Sequence, residues 1–220
     1  MSDMRVGYGS AGGGGLGPES LTGEPVWLDL FERWLAEGVA RAIPEPNAMV
    51  VATVDAEGVP ATRTVLCKAV DDRGIVFYTN HDSDKGRHLA AQPVASATFP
   101  WIAMERQVHF RGPVVQIERA ETQAYWASRP RGSQLGALAS TQSHPIASRA
   151  DLEAQARAVA DRFGGVDGDE PVPLPDNWGG YRIQPTTVEF WQGGADRLHD
   201  RVRVVRDPDT GVWDARRLQP

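Results

Sequence analysis

The sequence lacks several features, and each absence narrows what the protein can be. A single cysteine, Cys67, cannot form an internal disulfide, which suits a reducing compartment, and the cytoplasm is the expected location. Apolar runs fall far short of the roughly 18 to 20 residues that cross a bilayer, and no basic stretch leads into an apolar one at the start of the chain. Neither a membrane nor export is therefore expected. Five scattered histidines, without Cys-x-x-Cys or His-Glu-x-x-His spacing, argue against a metal site. No Gly-x-Gly-x-x-Gly follows a strand and opens a helix, and Gly-x4-Gly-Lys-Ser/Thr and Gly-x-Ser-x-Gly are missing, so the common dinucleotide, P-loop and serine-hydrolase signatures are absent. Basic residues are dispersed in a chain of net charge -6, which argues against nucleic acid as a partner.

Lysine is also scarce. Lys68 and Lys85 are the only two, against twenty-one arginines. Arginine can replace lysine at most exposed positions, so the retained pair marks candidate sites for a compact ammonium; codon bias would leave the same trace.

At 220 residues the chain is long enough for one sizeable domain. Residues 1–21, with four consecutive glycines from Gly12 to Gly15, are expected to form a flexible arm, and residues 22–220 a single domain. Trp27, Leu28, Phe31, Trp34, Leu35 and Val39 recur at helical spacing, and Pro44 and Pro46 stop that helix. The period then becomes two, predicting strands over 48–54, 61–70 and 75–79, then 94–101 and 106–118. Gly112-Pro113 predicts a bulge that bends the last of these. Short helices are expected after Ser83, over 121–128 and over 132–139, with a longer one capped by Ser148 and closed by Gly164-Gly165. Further strands follow over 180–183, 187–191, 198–205 and 212–218. The order suggests an α+β fold, an antiparallel barrel with peripheral helices.

The candidate chemistry is a distributed set of anion-binding groups. Arg63 and Lys68 end one strand, Tyr78-Thr79 ends the next, and Ser83-Asp84-Lys85 opens a helix whose amides favour phosphate. Tyr125, Arg129 and Ser133 stand four residues apart, and Gln142-Ser143 adds an amide and a hydroxyl. Arg197, His199 and Arg201 alternate after Gly193-Gly194, which in a strand puts all three on one face, toward water or an anionic ligand. Singly each is ordinary surface chemistry; together they suit phosphorylated ligands.

Arg63-Thr-Val-Leu-Cys-Lys68, Phe77-Tyr-Thr79, Phe99-Pro-Trp101, Glu105-Arg-Gln107, Ser128-Arg-Pro-Arg131, Ser133-Gln-Leu-Gly136, Trp178-Gly-Gly and Glu189-Phe-Trp-Gln-Gly with Arg197-Leu-His-Asp-Arg201 resemble the pyridoxamine 5'-phosphate oxidase family. The resemblance implies an FMN-binding split β-barrel acting as a homodimer with flavin at the subunit interface. The implied reaction is O2-dependent oxidation of pyridoxamine or pyridoxine 5'-phosphate to pyridoxal 5'-phosphate with release of H2O2. Carried over by position, FMN contacts fall on Arg63, Thr64, Val65, Leu66, Cys67, Lys68, Tyr78, Thr79, Lys85, Gln107, Gln142, Ser143, Trp191 and Arg201. Substrate contacts fall on Lys68, Tyr125, Arg129, Ser133, Arg197 and His199, the last two at the reacting end, with Arg5 and Tyr8 of the arm closing over the site. Asp84 departs from the pattern, which often has arginine there, and so weakens one phosphate contact. The alternatives are a split-barrel flavin or deazaflavin reductase with another substrate and a flavin- or phosphate-binding module without catalysis.

Overall fold

The computed structural model describes residues 7–9 and 15–220. In chain order the elements are α1 (Leu28–Ala40), β1 (Ala48–Val54), β2 (Pro60–Leu66), β3 (Ala69–Asp71), β4 (Gly74–Asn80), α2 (Asp84–Ala91), β5 (Val94–Trp101) and β6 (Arg106–Gln116). They continue with α3 (Arg119–Ser128), α4 (Arg131–Ala139), α5 (Arg149–Arg162), β7 (Trp178–Ile183), β8 (Thr187–Gln192), β9 (Asp200–Arg206) and β10 (Trp213–Leu218). Ser83 Oγ caps α2 by accepting from Gly86 N, and Ser148 Oγ caps α5 by accepting from Asp151 N, as the preference of serine for the position before a helix predicts.

All strand pairs are antiparallel, in the order β10-β9-β8-β6-β5-β1-β2, with β7, β4 and β3 branching from β6. The long strand β6 joins the two parts. Its residues 106–111 pair with β8 and its residues 114–116 with β7, while its other edge follows β5. The changeover falls at Gly112-Pro113, where a bulge was expected. Register with β5 runs unbroken from Arg106 to Pro113, but on the other edge it slips by one, from Arg111 opposite Thr187 to Val114 opposite Ile183, so the extra residue sits in the partner segment 184–186 and not in β6. Glycine is required there because a Cβ at position 112 would lie 2.0 Å from the carbonyl oxygen of Gln184. The result is the split barrel with helices on its outside.

Two strand expectations need correction. The single strand over 61–70 is broken at Cys67-Lys68, because Cys67 N donates to Asn47 O and Lys68 N to Val76 O, moving the chain from one part of the sheet to the other. The strand expected from Leu198 begins only at Asp200.

Helix α1 supplies one wall of the core. Leu30, Phe31 and Trp34 are buried on its inner face, whereas Val39 at its far end is exposed. Phe31 meets Phe99 at 4.9 Å and Phe110 at 5.1 Å between ring centres, both edge to face. Truncating such a ring to alanine costs about 3 to 5 kcal/mol. Packing begins before residue 22: Leu16 lies in the same core, and its N–H donates to Asp200 Oδ2. A smaller apolar cluster of Trp126, Leu135, Val172 and Trp178 sits under α3 and α4. Among the described residues no helix is long and apolar enough to cross a membrane.

Candidate functional site

A cleft of about 690 Å³ opens between β2, β4 and the α3–α4 pair. It is lined by Arg63, Thr64, Val65, Leu66, Lys68, Tyr78, Thr79, Lys85, Tyr125, Arg129, Ser133, Gln142 and Ser143. Residues 63 to 143 thus meet around one space. Cys67 does not line it: the thiol is buried, donates to Ala69 O, and is pushed up to about 11 by that burial, so it stays a neutral thiol.

One end of the cleft is built around Lys85. Its ammonium is buried and donates to Thr79 Oγ1 at 3.0 Å, Ser83 Oγ at 3.3 Å and Gln142 Oε1 at 2.9 Å. All three acceptors are neutral. Burial, with Arg63 nearby, lowers the Lys85 pKa to about 8 against a partial offset from Asp84. Arg63 is tied to its own sheet through Nη1, which donates to Thr53 Oγ1, Ala61 O and Val51 O. Ser143 holds a left-handed backbone at φ 68°, a conformation that non-glycine residues keep only where the surroundings impose it. A buried cation without a counter-charge, at the start of α2, fits a phosphate. Asp84 pairs with Arg87 on the exposed side of the helix.

The other end is aromatic. Tyr78 and Tyr125 stack at 3.9 Å, and Trp178 lies nearly parallel to both. The stack is possible because Tyr78 faces Gly180 across β4 and β7; a Cβ there would come within 2.9 Å of the Tyr78 ring. Burial pushes the Tyr78 phenol up to about 12 and raises that of Tyr125, so both are hydroxyl donors at neutral pH. The Arg129 guanidinium lies over Trp126 at 4.9 Å and Trp178 at 4.6 Å. Its Nη1 is buried without a hydrogen-bond partner. An orphaned cationic donor in a cleft is what an anionic ligand would satisfy. Trp178, Asn80, Gly136, Ala137 and Ser140 also line the cleft and had no assigned role in the sequence. For Trp178 the available signal was the Trp178-Gly-Gly run, whose two glycines make room for rings.

The remaining predicted residues lie elsewhere. Gln107, Trp191 and Arg201 are neighbours across β6, β8 and β9. The Tyr8 ring meets Trp191 at 5.7 Å and His199 at 5.6 Å, and Gly9 N donates to Glu105 Oε2. Arg5 lies outside the described residues. Arg197 and His199 line a second, open pocket with Gln219 and Pro220, and that pocket shares no residue with the cleft.

Arg197, His199 and Arg201 do not form one strand face. Arg197 belongs to a short 3-10 turn over Ala195–Arg197, with Asp196 and Arg197 left-handed at φ 53° and 66°, and His199 precedes β9. Gly194 N donates to His199 Nδ1, which leaves the neutral ring's proton on Nε2. Arg201 is clasped by Glu189, whose Oε1 accepts from its Nε and Nη2 at 2.9 and 2.7 Å, while Oε2 accepts from Arg203. Burial alone would raise the Glu189 carboxyl, but the bonds from the two arginines bring it below the ordinary range. Glu189 opens a motif named in the sequence but has no role assigned there; its register opposite Arg203 and beside Arg201 appears only once β8 and β9 pair. Among the described residues no group of histidine, cysteine or carboxylate could hold a metal ion.

Residues 35–163 match the family model described as pyridoxamine 5'-phosphate oxidase, and residues 178–220 match the pyridoxine 5'-phosphate oxidase C-terminal dimerisation region. The chain is 55% identical to the pyridoxine/pyridoxamine 5'-phosphate oxidase of Mycolicibacterium gilvum, over 93% of each chain. It is 49% identical to that of Rhodococcus jostii, over 100% of this chain and 98% of the other. Among solved structures it is similar to PhzG from Burkholderia lata in complex with tetrahydrophenazine-1-carboxylic acid, with a TM-score of 0.83 and 32% identity over 93% of this chain and 98% of that one. With both family models in register along the split barrel, and with its dimerisation region present, the chain belongs to the pyridoxine/pyridoxamine 5'-phosphate oxidase family of FMN-dependent oxidoreductases.

Proposed function

We propose that the protein oxidises pyridoxamine 5'-phosphate and pyridoxine 5'-phosphate to pyridoxal 5'-phosphate, passing the electrons to O2 and releasing H2O2, with the amine substrate also consuming one water and releasing ammonia. One observation carries the reading: a single cleft is lined by four cations, with Lys85 near Arg63 at one end and Arg129 over the rings of Trp126 and Trp178 at the other, as two phosphorylated molecules lying against each other require. FMN, when bound, supplies a two-electron acceptor that O2 regenerates. Arg63, Lys85, Gln142 and Ser143 would hold its phosphate, and Thr64 to Leu66 would line its ring. Lys68, Tyr125, Arg129 and Ser133 would anchor the substrate phosphate, fixing the substrate carbon for reaction by proximity and orientation.

The reacting end is completed in this reading by a second copy. Arg197 and His199 lie outside the cleft of their own chain, and the dimerisation region supports a homodimer. Arg197 and His199 of the second copy would then cover the substrate, with Trp191 and Arg201 at the flavin and Tyr8, packed on His199, excluding water. Arg197, exposed and left-handed, is free to meet developing charge at the substrate's amine or alcohol.

Peroxide release tests the reading. With FMN present, pyridoxamine 5'-phosphate and pyridoxine 5'-phosphate should each give one H2O2 per pyridoxal 5'-phosphate formed, and pyridoxamine without its phosphate should react poorly. Aldehyde formation without O2 consumption, or no turnover of either phosphate ester, would contradict it.

A further inference from the structure

The Nη1 of Arg129 is the one buried cationic nitrogen without a hydrogen-bond partner among the described residues, so what holds it in place matters. No carboxylate does: Arg129 has no ion pair within 4.0 Å among the described residues. Its guanidinium instead lies over the rings of Trp126 and Trp178. Trp126 is fixed by its own Nε1, which donates to Val172 O at 2.9 Å, and by packing edge to face on Trp178 at 4.9 Å. Trp178 is 6% exposed, lines the cleft, and continues into the parallel stack with Tyr78 and Tyr125. One indole therefore carries Arg129 on its face and lies parallel to Tyr125, 6.2 Å away between ring centres, and to Tyr78, which stacks on Tyr125.

A carboxylate in that place would compete with the ligand for the guanidinium. Aromatic faces orient a cation without occupying its N–H donors, and the attraction is larger where water is excluded. We infer that Trp178 is a positioning residue of the anion site: its ring holds Arg129 and Tyr125 in the arrangement that receives the substrate phosphate, while leaving their donors open. This rests on the proposed function and deepens it, because it assigns the discrimination between phosphorylated and unphosphorylated substrates to a residue that carries no charge.

The test compares Trp178→Leu and Trp178→Phe with the unaltered enzyme, all saturated with FMN, on pyridoxamine 5'-phosphate and on pyridoxamine. Leucine removes the ring; phenylalanine keeps a smaller one. For Trp178→Leu the KM for the phosphate ester should rise about tenfold, with kcat and the KM for pyridoxamine each within about twofold. Trp178→Phe should lie between the two. Calorimetric titration of pyridoxal 5'-phosphate into each holoenzyme should show the same order without turnover. If both KM values stay unchanged, or both rise together, the assignment is wrong. If Trp178→Leu does not fold, Trp178→Phe decides: unaltered preference for the phosphate ester overturns the inference. Absence of that preference in the unaltered enzyme would instead overturn the proposed substrate anchoring, so the two failures are distinguishable.

Discussion

The environment of Lys85 makes flavin binding depend on pH in a direction that can be worked out. The free protein holds this ammonium buried among three neutral acceptors, with a pKa near 8 where an ordinary lysine has 10.5. A bound phosphate supplies the missing counter-charge and raises the pKa again, so binding is accompanied by proton uptake above about pH 8. Below about pH 7 the group is charged with or without ligand, and this lysine adds no pH dependence. Between about pH 8 and 9 the FMN dissociation constant should rise by up to about tenfold. Stability of the flavin-free protein should move the other way: between its folded value and its ordinary one the unfolded chain binds more protons, so Lys85 makes the fold more stable as pH rises. Titration of FMN by flavin fluorescence quenching at several pH values, for the native chain and for Lys85→Met, tests this. The variant should bind about ten- to a hundredfold more weakly at pH 7, the loss of one charge-assisted contact, and should lack the rise above pH 8. A native dissociation constant that stays flat to about pH 9.5, or a rise that survives in Lys85→Met, would refute the reasoning.

Two further substitutions address the frame and the second group of residues. Gly112→Ala places a Cβ against the carbonyl of Gln184, so thermal unfolding should show a loss of about 2 kcal/mol, or about 4 to 8 °C in Tm for a domain of this size; an unchanged Tm would mean that the β5-β6-β7 junction is not tight there. Arg201→Ala should weaken FMN binding, since Arg201 sits beside Trp191 on the flavin-assigned strands, whereas Arg197→Ala should keep flavin and lower kcat more than it raises KM, by about tenfold or more. Flavin loss in Arg197→Ala with normal turnover after FMN saturation would reverse the two assignments.

Much of the fold was legible because local chemistry and tertiary pairing agree. The period-two runs became β1, β4 and β5 with nearly the expected limits, and Ser83 and Ser148 capped the helices they precede. Gly112 was readable as a bend, although its cause, a carbonyl from residue 184, lies 72 positions away. Alternation misled after Gly194, since the chain there turns through left-handed Asp196 and Arg197 against their intrinsic preference. Nothing local to those residues announces that. The same holds for the break at Cys67-Lys68, fixed by hydrogen bonds to Asn47 and Val76. At the site, single charges could be found by residue type, but the aromatic support of Arg129 joins Trp126 to Trp178, residues brought together only when α3 packs on β7. The division of the site residues between two surfaces is likewise a property of the folded chain and has no sequence signature.

That division gives the central claim its most direct measurement. Arg129→Ala removes a residue of the cleft and Arg197→Ala one of the separate pocket, so each homodimer alone should oxidise pyridoxamine 5'-phosphate poorly. Refolding the two variants together in equal amounts forms heterodimers in which one site has lost both residues and the other has lost neither. Peroxide release should then return to about a quarter of the native level, since half of the dimers carry one intact site of two. A mixture no more active than its parents, with heterodimers demonstrated, would contradict a site shared between two copies of the chain.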